Sequence, residues 1–279
     1  MKISYSILTH NEDESLQKLL EFLVKHKDEE DEIVILDDYS DNPKTIEILD
    51  VMTSMHEMTF EQRHLLKDYA GQKNYLTRMC KNDYIVNIDA DEIPHKSLMK
   101  NLKPILQSNP TIDLYWVPRV NTVDGITEEH MKVWRWRATE QGWINYPDFQ
   151  SRIFRNLPDI RWKRPVHEMI EGCKTYAHLP PQEELSLYHP KTIEKQTQQN
   201  TFYNQNFSRE MNVRNGVKKN FEPISLDYFL NMELAKGGGG KEVIKNNNQL
   251  KTVRDVVEFY SSDKNMDFVK NTLNPNNWQ

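Results

Sequence analysis

Two short apolar runs, each stopping at a cluster of carboxylates, constrain this chain more than any other feature. Glu32–Leu36 carries Ile33, Val34, Ile35 and Leu36 and stops at Asp37-Asp38-Tyr39-Ser40-Asp41, and Tyr84–Ile88 stops at Asp89-Ala90-Asp91-Glu92. A run that is apolar on both faces is the mark of a strand covered on both sides, as in a parallel sheet. The flanking segments supply the cover. Lys2–Leu8 sets Ile3, Tyr5 and Ile7 on one face at period two, and residues 13–26 carry Leu16, Leu19, Leu20 and Leu23 at helical spacing, with Asn11 or Asp13 as the cap. Pro43 to about Met52 and Gly71–Cys80 predict two further helices. Strand, helix, strand, helix, strand implies right-handed crossovers and a doubly wound sheet. Such a sheet binds ligands beyond the carboxyl ends of its strands, where both acidic clusters emerge.

An isolated Asp-x-Asp also arises as a solvated loop that caps the next helix. Two acidic strand ends in one sheet instead favour a shared ligand. Asp89 and Asp91, with only Ala90 between them, place two hard oxygen donors close together, which suits Mg²⁺ or Mn²⁺ carrying a diphosphate. Other phosphate grips are excluded by composition. The chain has nine glycines, four of them Gly237–Gly240, so neither a GxGxxG turn nor a Walker-type loop exists. No apolar window is long enough to span a membrane, and Met1–Leu8 is too short an apolar stretch for a signal peptide. Two cysteines, Cys80 and Cys173, make no disulfide framework and fit a reducing cytoplasm, of a cell or of an infected host.

The remainder reads differently. Leu114–Val120, Met131–Trp136 and Gln150–Phe154 predict strands separated by polar loops without long helices. After His189 the pattern is helical and polar: Thr192–Asn212, Ser225–Ala235 and Glu242–Tyr260, with Gly237–Gly240 as a joint and a frayed tail from Asn274 to Gln279. The formal charge of −6 averages unlike parts: residues 1–60 sum to −10, and residues 131–164 to +5. Asp28–Glu32 reads as a solvated loop, Met52, Met55 and Met58 as space-filling, and His10, His26, His56, His64, His95, His130 and His178 carry no assigned role.

In Ser4–Asn11, Ile35–Asp41, Gly71–Asn74 (Gly-Gln-Lys-Asn), Tyr84–Glu92, Arg152-Ile153-Phe154-Arg155 and Val166-His167-Glu168, the chain resembles the family 2 glycosyltransferases of the GT-A fold over about residues 1–195. One departure is Tyr39, where the family often has Gly. The resemblance implies an α/β fold: a GT-A-like, Rossmann-type mixed sheet flanked by helices, with a helical C-terminal extension. It divides the chain into a catalytic domain at 1–190, with a nucleotide-sugar half at 1–92 and an acceptor half at 93–190, and an extension at 191–279.

The resemblance also implies roles. Thr9, Asn11 and Glu12 would line the loop beneath the base, Asp38 would accept from base or ribose, and Lys73 would approach the diphosphate or base. Asp89, beside Ala90, would face the ribose or a metal-bound water, and Asp91 would ligate Mn²⁺ or Mg²⁺. His189 would complete the metal shell, with His167 as its rival. The reaction implied is inverting transfer from a nucleoside-diphosphate sugar, UDP favoured, with a carboxylate taking the acceptor hydroxyl proton. Glu168 leads for that base, Asp148 and Glu92 are alternatives, and a salt bridge from Glu168 to Arg164 or Lys163 is the competing explanation.

Residues 131–164 interleave cations with Trp134, Trp136, Trp143, Tyr146 and Trp162. Arg152, Arg155, Arg164 and His167 with Trp134 and Trp136 suit a phosphorylated saccharide, or hydroxymethylcytosine in DNA, as the acceptor. A tryptophan core under an ordinary basic face explains the same composition. Lys191, Lys195, Arg209, Arg214, Lys218 and Lys219 add a diffuse second set of cations. A sugar nucleotidyltransferase is a further reading, although Ile7–Asn11 lacks the glycine loop typical of one, and a non-catalytic glycan- or DNA-binding module is another.

Overall fold

In the computed structural model, which describes residues 1–207, the alternation at the amino terminus becomes four parallel strands and three helices. Strand β1 (Ile3–Thr9) leads to α1 (Glu14–His26), capped by the Asp13 side chain and buried along Leu16, Leu19, Leu20 and Leu23. Then follow β2 (Glu32–Asp37), α2 (Pro43–Met55) with its Asn42 cap, β3 (Thr59–Gln62), α3 (Tyr69–Met79) with its Asp68 cap, and β4 (Tyr84–Asp89). Both faces of β2 are covered: Ile33 and Ile35 pack with the α1 leucines, Val34 and Leu36 with Leu76 and Cys80. The chain leaves β1 toward β2 and β3 and returns to add β4 on its other side. The crevice between the ends of β1 and β4 is therefore a topological switch point.

The second half completes the sheet. Its elements are β5 (Ile93–Pro94), α4 (Lys96–Ser108), β6 (Leu114–Val117), β7 (Arg119–Asp124), α5 (Glu128–Trp134), β8 (Gln150–Arg155), β9 (Arg161–Lys163), β10 (Met169–Glu171), β11 (Tyr176–His178), β12 (Leu187–Thr192) and α6 (Ile193–Asn206). Strand β8 inserts antiparallel between β4 and β6, giving a seven-stranded mixed sheet in the order β11-β6-β8-β4-β1-β2-β3. A three-stranded sheet, β5-β12-β7, and the β10-β9 pair lie apart from it in the pairing. Strand β12 runs on through residue 190, and α6 follows directly.

Several expectations are corrected. Met131–Trp136 is not a strand, because Thr127 accepts from the His130 amide while His130 accepts from the Thr127 amide, and this capping box starts α5. Leu114–Val120 is two strands in different sheets, divided at Pro118. Ahead of these segments stands a long helix that the sequence reading did not name, α4, with Leu98, Leu102, Ile105 and Leu106 buried and His95 as its cap. The run Asp28–Glu32 is only partly solvated, since Asp31 is buried, accepts from the Ile3 amide at 2.9 Å and pairs with Lys103 at 2.9 Å. Met55 is 70% exposed and fills no space. Of Thr192–Asn212, residues 193–206 form α6, while Ser225–Ala235, Gly237–Gly240, Glu242–Tyr260, the tail from Asn274 and Arg209, Arg214, Lys218 and Lys219 lie outside the described residues. Among the described residues, no helix is long and apolar enough to cross a membrane.

Candidate active site

The switch point opens into a cavity of 1260 Å³. In it, Leu8 of β1 is in register with Asp89 of β4, so the first acidic turn continues directly from the central strand pair. That turn closes on itself. The Glu92 amide donates to the Asp89 carbonyl at 2.9 Å, and the Asp89 amide donates to the Glu92 carboxylate at 3.2 Å. Glu92 is fully buried between Arg119 at 2.8 Å and Arg152 at 2.6 Å. Arg152, from β8, also donates to Asp89 Oδ2. Lys73 of α3 lies 3.5 Å from Asp89 Oδ1 and 2.6 Å from Glu168 Oε1, its ammonium 4.6 Å from the centre of the Trp162 ring.

The three-stranded sheet delivers the other side. Pairing of β12 with β7 sets His189 opposite Asn121, whose Oδ1 lies 2.7 Å from His189 Nδ1. The ring's other nitrogen, Nε2, lies 3.3 Å from Asp91 Oδ2. The same Asp91 oxygen has Lys195 at 3.4 Å and Lys191 at 3.8 Å, and Lys195 also takes both Glu12 oxygens, at 2.7 and 2.8 Å. Asp148 Oδ2 accepts from Arg119 at 2.5 Å and from Asn121 at 3.0 Å, and its Oδ1 accepts from Gln150 at 3.0 Å. Acid and base thus alternate from Glu168 through Lys73, Asp89, Arg152, Glu92 and Arg119 to Asp148.

Protonation follows from these contacts. Burial opposes the charge on Asp91, but the bond from His189 and the nearby lysines outweigh it and hold the carboxyl well below the usual range. Burial likewise opposes ionisation of Glu168, and Lys73 outweighs it, so this carboxyl too lies low. Burial keeps His189 below the ordinary histidine value.

Thr9, Glu12, Asp38, Lys73, Asp89, Ala90, Asp91, Trp134, Trp136, Asp148, Arg152, Arg164, His167, Glu168 and His189 all line the cavity. Asn11, Glu92 and Arg155 are absent from its wall. Asn11 instead pins the second acidic loop, accepting from the Asp41 and Asn42 amides at 2.9 Å each. Arg155, at the far end of β8, pairs with Asp113 at 3.5 Å. Asp38 accepts from the Leu65 amide at 2.8 Å. Tyr39 has a φ of 46°, which accounts for the glycine preference at this position, and its exposed ring stacks on His64. The partner of Glu168 is Lys73, on a different element from either of the neighbours weighed above.

Sequence reasoning missed Arg119 and Asn121, and set Lys191 and Lys195 aside as diffuse charges. A signal existed: Arg119 and Asn121 alternate along one strand, and Lys191 stands two residues after His189 on another, so each pair shares a face. His95 and His130, given no role, are both capping residues.

The chain is 34% identical over 107 residues to an uncharacterized glycosyltransferase of Rickettsia bellii, covering 38% of this chain and 33% of that one. A second uncharacterized glycosyltransferase, from Rickettsia typhi, is 29% identical over 108 residues, covering 39% and 34%. The chain thus matches about a third of the length of these relatives. Among solved structures, residues 1–349 of S. aureus TarS align with 68% of this chain and 60% of that one at 15% identity and a TM-score of 0.46. Glucosyl-3-phosphoglycerate synthase of Mycobacterium tuberculosis, in complex with Mn²⁺, UDP and glucosyl-3-phosphoglycerate, aligns over 44% of each chain at 20% identity and a TM-score of 0.34. The family model described as glycosyl transferase family 2 matches residues 4–178, well over half of the chain. By that match, from the first strand through the last strand of the main sheet, the chain belongs to glycosyl transferase family 2.

Proposed function

We propose that this chain transfers a sugar from a nucleoside-diphosphate donor, UDP-sugar favoured, to an acceptor hydroxyl by a single inverting displacement. The observation that carries the reading is the switch-point cavity, in which two acidic strand ends and the base candidate Glu168 line one continuous wall. Thr9 and Asp38 are the donor-side groups nearest the end of β1. Asp91 and His189 would hold the divalent ion, Mn²⁺ or Mg²⁺. One hard oxygen and one imidazole nitrogen 3.3 Å apart suit adjacent positions of an octahedral shell completed by diphosphate and water. Among the described residues no third His, Cys, Asp or Glu joins them as a ligand group, so the diphosphate and water would supply the remaining positions. When bound, such an ion neutralises charge that grows on the leaving diphosphate.

Glu168 is the proposed base. Lys73 keeps it ionised and fixes Oε1, while its side chain remains 17% exposed toward the cavity. Glu92 is enclosed by two arginines, and both Asp148 oxygens are engaged, so these two carboxylates serve to orient Arg119 and Arg152. For the acceptor a saccharide is favoured over DNA. Of the eight cations in 131–164, Arg152 and Arg164 reach the cavity, and Arg152 is neutralised by Asp89 and Glu92, whereas Trp134 and Trp136 line the same cavity.

A panel of UDP-, GDP- and dTDP-sugars, assayed with saccharides and with hydroxymethylcytosine DNA in the presence and absence of Mn²⁺, tests this reading. Nucleoside diphosphate should be released with transfer to a saccharide. Pyrophosphate release, or transfer to DNA alone, would overturn it. Glu168→Gln should keep donor binding and lower transfer by roughly 10²–10⁴-fold; unchanged turnover would remove Glu168 from the mechanism.

A further inference from the structure

Lys191, in the cavity wall, and Lys195, which reaches the same Asp91 oxygen from outside that wall, have no part in the reading above. Lys191 leaves β12 two residues after His189, on the same strand face. Its side chain is 6% exposed, with the ammonium 2.8 Å from the neutral Gln199 Oε1 and 3.8 Å from Asp91 Oδ2. Lys73, Arg119 and Arg152 each have a carboxylate oxygen within 2.6 Å. Lys191 has none that close among the described residues, and it shares its one carboxylate with His189 and Lys195. A buried ammonium held by an amide and a shared, distant carboxylate is costly. That cost sits in a cavity wall beyond the carboxyl end of β4, where an open α/β sheet receives its ligand. An anion arriving there offsets it. Lys195 stands beside it in the first turn of α6, held by Glu12 from the loop after β1.

We propose that Lys191 and Lys195 form a two-cation clamp for the diphosphate of the donor. The clamp rests on the donor reading proposed above, and deepens it by naming the groups of this chain that read the diphosphate directly, alongside any ion at Asp91. Glu12 and Gln199 hold the two ammoniums in place before the ligand arrives.

Calorimetric titration separates the clamp from that reading. Wild type, Lys191→Met and Lys195→Met are titrated with UDP and with uridine, in Mn²⁺ and in EDTA. Each Met variant should bind UDP roughly 10- to 100-fold more weakly than wild type in both media, the scale of one charge-assisted contact. Uridine affinity should be unchanged, and the dependence of UDP affinity on salt should become shallower. Lys191→Arg and Lys195→Arg, which keep the charge, should retain most of the affinity and control for misfolding. Met variants that bind UDP like wild type, or lose uridine equally, overturn the clamp and leave the donor reading standing. A wild type that binds none of UDP, GDP and dTDP overturns the donor reading itself, and the clamp with it.

Discussion

At the scale of single residues, Lys73 governs two carboxylates, Glu168 at 2.6 Å and Asp89 at 3.5 Å. Burial alone would raise the Glu168 carboxyl, and the Lys73 charge is what brings it down. A carboxyl depressed in the folded state contributes stability that is present above its unfolded pKa, about 4.3, and lost as pH falls through the folded value. In Lys73→Met only a backbone hydrogen bond still opposes burial, so the folded value rises and this contribution shrinks. The melting temperature of the variant should therefore fall furthest below wild type above about pH 5, and the gap should narrow toward about pH 3. A gap that stays constant across that range would show that Lys73 acts by packing alone. Cys80 makes a second residue-scale case. Burial, reinforced by Glu32, pushes its thiol up to about 12. Iodoacetamide at pH 8 should label it only after denaturation, and native labelling at the rate of a free thiol would contradict its enclosure.

At the scale of elements, α5 is the exception among the helices of the described residues, because none of its residues is buried. A helix of seven residues is unstable by itself. What holds it is the Thr127–His130 capping box, and the segment it anchors carries Trp134 and Trp136 to the cavity wall. Thr127→Ala removes a cap worth about 1 kcal/mol. Amide exchange should accelerate at residues 128–134 while the global melting temperature stays close to wild type; an equal loss of global stability would mean that α5 unfolds with the core. The β9–β10 pair depends on a different device. Gly172 has a φ of 90°, and a Cβ there would lie 1.9 Å from the Asp159 carbonyl oxygen. Gly172→Ala should destabilise by at least about 1 kcal/mol and disturb Trp162, readable in its fluorescence, since neither strain nor clash can be relieved without moving backbone.

At the scale of the whole molecule, the site lies where two sheets meet, and Arg119 joins them. It begins β7 in the three-stranded sheet and pairs with Glu92, which follows β4 of the seven-stranded one. Removing one partner of a buried ion pair costs more than the pair contributed, because the other charge stays buried. Arg119→Ala should lower unfolding free energy by about 3–5 kcal/mol in a single urea transition. Two separate transitions in wild type would show instead that the sheets unfold independently.

Much of this was legible from local pattern. The acidic strand ends, the α1 leucines, the Pro43 start and the order of the first four elements follow from spacings that repeat every two or about 3.6 residues, and such spacings survive any tertiary arrangement. The family was legible for the same reason, since its motifs are short and contiguous. The segment 131–136 was misread because a capping box outweighed its aromatic content, and α4 was missed beneath the polar residues that cover its outer face. What remained for the tertiary structure was pairing. Glu168 meets Lys73 across 95 positions of sequence, and Glu92 takes its arginines from β7 and β8. Charge attraction is long-ranged and unspecific along a chain, so the composition of a site can be read in sequence while the partner of each charge is decided only when strands from distant segments are laid edge to edge.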